Sequence, residues 1–162
     1  MRLILSVLAA SLAFAATAHA QGVRSERALS LGLASQIATE AVNACAASGY
    51  AVAATVVDRA GVVRALLRAD NAGAHTVAAS QQKAWTSASA KNTTLAMMEG
   101  AQKNPAAANL GDIPGFLLLG GGVPIKVGNE TIGAVGVGGA PGGHLDEQCA
   151  VAALDKVKEQ LK

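Results

Sequence analysis

The sequence predicts a mixed α/β domain of the α+β type, in which helices cover a mostly antiparallel sheet and the elements run αββααβββα. Three observations support this. The β-branched runs come in adjacent pairs joined by turn-forming residues, and no strand–helix–strand alternation is present. Helix-length segments with capping residues flank those pairs. A glycine tract from Gly120 to Gly143 holds ten of the chain's 18 glycines and runs into a helix-like C-terminus.

Residues Met1 to Ala20 have the layout of an export signal. Arg2 gives a short positive region, Leu3 to Ala16 an apolar stretch, and Ala18-His19-Ala20 an A-x-A cleavage site. The apolar run is shorter than the roughly 18 to 20 residues of a spanning helix. Cleavage is expected near Gln21, leaving residues 21–162 as one domain in the periplasm or outside the cell.

Ser30 can cap a helix from about Leu31 to Ser48, which Gly49 stops. Tyr50 to Val57 and Val62 to Arg68 then read as two strands around the turn Asp58-Arg59-Ala60-Gly61. A second helix is expected from about Ala74 to Ala90, and a shorter one from Thr93 to Gln102, broken by Asn104-Pro105. Ala106 to Gly115 reads as a loop, and Phe116 to Leu119 as the start of the final strands. Gly128-Asn129-Glu130 separates Val123–Val127 from Thr131–Val137 with hairpin turn chemistry. Gly133, Gly136 and Gly138 remove side chains where another backbone or a flat ligand approaches closely.

The tract is expected to be a structural hairpin with a helix-capping loop rather than a nucleotide site. In Gly136-Val137-Gly138-Gly139-Ala140-Pro141 a proline replaces the last glycine of the dinucleotide pattern. Asp146 and Glu147 open the helix that follows, and their carboxylates repel an anion there. The formal net charge of +2, or +1 without Arg2, gives no basic run for nucleic acid or an anionic membrane. A small ligand or a protein partner is expected instead.

Cys45 and Cys149 are the only cysteines. Cys45 continues the apolar stripe Leu33, Ile37, Ala41, and Cys149 lies on the stripe Leu145, Cys149, Ala152, so both face the core. In an oxidising compartment a bridge is expected if the two helices lie side by side. The alternative is two buried small hydrophobes.

Residues 21–162 hold two histidines, His75 and His144, with no ligand cluster at zinc spacing and no G-x-S-x-G elbow. Asp58 sits in a turn, Asp70 ends a strand, and Asp146 with Glu147 most simply serve a helix N-terminus. No catalytic residue is assigned, and an enzyme is the less favoured class. His75 is the best ligand candidate because it opens a helix after Asp70-Asn71-Ala72-Gly73, beside a strand end. An imidazole there is placed to bind haem iron axially, with Lys83 or Arg68 meeting a propionate. The alternatives are a histidine that caps the loop, solvated cations, and a lysine stem laid over apolar surface. Trp85 reads as a core corner or an interface.

Three segments together resemble the GlcG/HbpS-like family: VVDRAGVVRALLRADNAGAHT (56–76), QKAWTSAS (82–89) and LLLGGGVPIKVGNETIGAVGVGGAPGGHLDEQCAVAAL (117–154). The matched positions include Asp58, Gly61, Arg68, Asp70, His75, Lys83, Gly120 to Gly122, Pro124 and Asp146. The resemblance implies a profilin-like domain, commonly assembled into homo-oligomers, with haem or a related tetrapyrrole as the ligand. It implies an exported haem-sensing or haem-sequestering protein. The competing expectation is an accessory or signalling module that binds a small organic metabolite, a sensor or an enzyme.

Overall fold

A computed structural model describes residues 22–162; the expected export signal lies outside the described residues. Helix α1 spans Leu31–Ala47. Its start follows the sequence: the Ser30 hydroxyl accepts from Leu33 N at 3.1 Å, and Gly49 ends the helix at φ +81°. Strands β1 (Ala53–Asp58) and β2 (Val63–Arg68) form the first hairpin. Asp58 closes its turn by accepting from Ala60 N and Val62 N. Helices α2 (His75–Ala90) and α3 (Thr94–Lys103) follow.

The second hairpin joins β3 (Gly122–Val127) to β4 (Glu130–Gly138). Val127 pairs with Glu130, so Gly128 and Asn129 make the two-residue turn, with Gly128 at φ +57°. Helix α4 (Gly143–Val157) closes the fold. The sheet order is β2-β1-β4-β3 and every pairing is antiparallel, as predicted.

Two local segments differ in detail from the sequence reading. Phe116 to Leu119 has no ladder partner and bends at Leu119, and pairing starts only at Gly122. Helix hydroxyls occupy the backbone groups that a strand partner would use: Thr86 Oγ1 accepts from Leu117 N, and Thr94 Oγ1 donates to Leu119 O. The expected loop after Asn104 is a 3-10 segment over Pro105–Asp112, started by the Asn104 side chain accepting from Ala106 N.

The two faces of the sheet are packed differently. On one, α1 and α4 bury an aliphatic core with Ile37, Val52, Val56, Ile125, Val135, Val137 and Val157. The predicted bridge is present there: Cys45 and Cys149 are bonded, with Cα atoms 5.3 Å apart.

Helix α2 covers the other face with little apolar bulk, chiefly Val57, Ala84, Ala88 and Ala134. Gly136 lets it in: a Cβ there would press on Ser80 O and lie 2.5 Å from Ala84 N. Thr55 Oγ1 and Ser80 Oγ add a buried hydrogen bond at 2.8 Å between β1 and α2. Gly133 points the opposite way, against Val57 O and Leu29. The glycines of β4 thus serve close backbone approach, as the sequence suggested.

Candidate functional site

His75 is the first residue of α2 and is exposed. Its ring folds back over Gly73, where a Cβ would lie 2.8 Å from Cε1. The loop before the helix is held by other groups. Thr76 Oγ1 donates to Gly73 O at 2.7 Å, and Arg68 Nη1 donates to Ala72 O at 3.1 Å. The imidazole is therefore not the group that caps this loop.

Arg68 ends β2 and is also exposed. Register places it: Ala53 pairs with Arg68 and Thr55 with Leu66, and paired residues share a face of the sheet. Thr55 bonds Ser80 of α2, so Leu66 and Arg68 lie on the α2 side. The structure thus brings His75 and Arg68 to one corner, where the edge strand meets the head of α2.

Lys83 is elsewhere. It faces the sheet, is 1% exposed, and donates to Asp146 Oδ2 at 2.7 Å and Val137 O at 2.9 Å. The second carboxylate oxygen of Asp146 accepts from Ala140 N at 2.9 Å. Lys83 is thus neither a solvated lysine nor one open to an exterior ligand. Asp146 does lie in the first turn of α4, but its carboxylate turns inward to meet the ammonium. Gly121 makes the space: a Cβ there would be 2.7 Å from Asp146 Cβ and 3.1 Å from Lys83 Nζ. This buried pair, which links α2, β4 and α4, escaped the sequence reading. The glycine run beginning at Gly120 was its one visible signal.

His144 is exposed in the first turn of α4, along an open groove of about 420 Å³ with Leu95, Glu147, Val151 and Asp155. Its neighbour Glu147 is engaged by Leu95 N at 3.3 Å. No group of three or more His, Cys, Asp or Glu side chains could hold a metal among the described residues. A haem iron needs fewer protein ligands, and an exposed imidazole and a guanidinium on the same side of a sheet are chemically suited to iron and a propionate. Trp85 is half-buried on α2, meeting Phe116 edge-on at 5.7 Å.

At the surface, Arg59 and Glu130 are 2.7 Å apart. The Arg59 hydrogen bond holds the Glu130 carboxyl below its ordinary range, and the same bond raises the Arg59 guanidinium. Glu26 and Arg27 join this pair and tie the segment before α1 to both hairpins.

The family described as haem degrading protein HbpS-like matches residues 29–155. Among curated proteins none matches. A double mutant of Streptomyces reticuli HbpS is 34% identical, with a TM-score of 0.80 over 93% of this chain and 99% of that one. The Klebsiella pneumoniae protein ORFY is 29% identical, with a TM-score of 0.78 over 83% of this chain and 93% of that one. The protein PduOC, whose structure was solved as a haem complex, shares the fold at 22% identity, with a TM-score of 0.71 over 80% and 94% of the two chains. With most of its described length matched by the family and a third of its residues shared with an HbpS structure, the chain belongs to the HbpS-like family.

Proposed function

We propose that this chain is an exported haem-binding protein that senses or sequesters the tetrapyrrole, with His75 as the axial ligand and Arg68 at a propionate. The observation that carries the proposal is the corner at the head of α2. There an exposed imidazole, relieved of loop capping by Thr76 and Arg68, shares one side of the sheet with a guanidinium. The family description and the haem complex of PduOC favour the same ligand. When bound, haem would supply the redox and ligand-binding chemistry of its iron. The chain's own part is to hold and orient the macrocycle. Lys83 enters as the buried anchor of α2 rather than as a propionate contact.

The Cys45–Cys149 bridge and the sequence of residues 1–20 support a periplasmic or secreted location. Self-association belongs to the same proposal. Edge strand β2 leaves one side of its backbone without a strand partner, with Val63 38% and Leu67 40% exposed on its two opposite faces, an edge suited to pairing with a second copy.

The test is a haemin titration read at the Soret band in wild type and His75→Ala. A saturable, stoichiometric shift that the variant loses, and that Arg68→Ala weakens, is the expected result. An unchanged spectrum in wild type overturns the haem assignment. A shift retained by the variant removes His75 and leaves haem.

A further inference from the structure

Trp85 is gripped at both ends. At Gly61 a Cβ would lie 2.5 Å from Cδ1 and 2.7 Å from Nε1; at Gly115 it would lie 3.3 Å from Cζ3. Both glycines have positive φ, +80° and +89°, so both turns are built around the ring. On the Gly61 side a cleft of about 90 Å³ is walled by Arg59, Ala60, Gly61, Trp85 and Ser89.

The polar groups of that cleft are mostly donors. Trp85 Nε1 is donor-only and has no protein acceptor among the described residues. The hydroxyl of exposed Ser89 is equally free. Arg59 uses Nε towards Glu26, and Nη2 towards Glu130 and Arg27 O, which leaves Nη1 without a partner among the described residues. No buried side-chain nitrogen or oxygen is unpaired among the described residues, so these open donors face water. The backbone donor of Ala60 is already taken by Asp58.

We propose that this cleft binds the carboxylate of a small monovalent organic acid, with two oxygens shared among the indole N–H, the Ser89 hydroxyl and Arg59 Nη1. A planar, singly charged group fits for two reasons. The space admits only a group of a few heavy atoms, so any larger substituent projects into solvent. Glu26 and Glu130 already offset the charge of Arg59, which disfavours a dianion such as phosphate. The site is independent of haem and lies at the Ser89 end of α2, whereas His75 begins the helix.

The chain has a single tryptophan, so one indole N–H resonance reports on the cleft. The experiment titrates ¹⁵N-labelled protein with sodium acetate, and in parallel with sodium chloride and sodium phosphate at matched ionic strength. The expected result is a saturable movement of that resonance with acetate alone. Half-saturation should rise about tenfold in Ser89→Ala, the factor carried by one hydrogen bond to a charged group. Ser89 is exposed on the last turn of α2, and alanine preserves that helix. A linear drift, an equal response to chloride, tighter binding of phosphate, or an unchanged half-saturation in Ser89→Ala each overturns the proposal. No haem is present, so this result and that of the haemin titration fail separately.

Discussion

Replacing Lys83 by Met keeps an aliphatic stem over the same path and deletes the ammonium. Asp146 is then left with Ala140 N as its sole named donor, in a side chain 4% exposed. Removing one partner of a buried ion pair costs about 3–5 kcal/mol, because the remaining charge stays out of water. A domain of this size is stable by only about 5–15 kcal/mol, so the single change removes a large share. Asp146→Asn strands the ammonium instead and is expected to cost a similar amount. The double variant Lys83→Met/Asp146→Asn carries no buried charge. It should lose less than the two singles together, by a coupling of about 2–3 kcal/mol. Urea unfolding followed by Trp85 fluorescence, with the disulfide kept oxidised, gives all four corners of the cycle. A loss below about 1 kcal/mol in either single, or simple additivity within about 0.5 kcal/mol, would show that this pair is not the clamp described.

The bridge between Cys45 and Cys149 spans 104 positions, and the chain-entropy relation assigns it about 4.7 kcal/mol. Cys45→Ser/Cys149→Ser should lower the urea midpoint accordingly, and an unaffected midpoint would refute that origin. Gly136→Ala drives a Cβ onto the α2 backbone and should cost about 3 kcal/mol or more. Gly32→Ala, in open space on α1, should instead gain a few tenths to about 1 kcal/mol. Equal effects of the two substitutions in thermal melts would contradict the packing described. Glu130 is held below its ordinary range by Arg59, so its folded state binds a proton less readily than the unfolded chain. That contribution is complete above the unfolded glutamate value of about 4.3 and fades as pH falls through the lower folded value. Melting temperatures of wild type and Glu130→Gln should therefore converge as pH drops from 6 towards 3, and a constant gap would remove the pair as the cause.

Elements governed by neighbouring residues were legible in the sequence. The Ser30 cap, the Gly128-Asn129 turn and the paired strands each depend on residues within a few positions of one another. The cysteine pair was legible because two helical stripes and a compartment argument converged on it. Lys83 and Asp146 were harder, since they are 63 positions apart and each has an ordinary local role, a helix lysine and a first-turn aspartate. Only the packing of α2 against β4 makes them neighbours. Phe116 to Leu119 looked like a strand from composition. The hydroxyls of Thr86 and Thr94, which claim its backbone, come from residues far earlier in the chain. At the candidate site, His75 and Arg68 were visible as types near a strand end. Their shared side of the sheet needed the register of β1 with β2.

The bridge also sets the order in which the molecule opens. Polypeptides usually fray from their termini, where neighbours are fewest. Here the first and last helices of the described chain are fastened to each other near the end of α1 and the middle of α4, so an opening that starts at either end is checked at the sulfurs. Between the half-cystines the weakest region is the 3-10 segment Pro105–Asp112, which has no buried residue, and α3 before it buries only Thr94 and Met97. Within the ring, amide exchange should accordingly be fastest over Pro105–Asp112 and slow around the two half-cystines. In this fold the first part to loosen is a bulge in a closed covalent ring, and both helices stay docked while it does so.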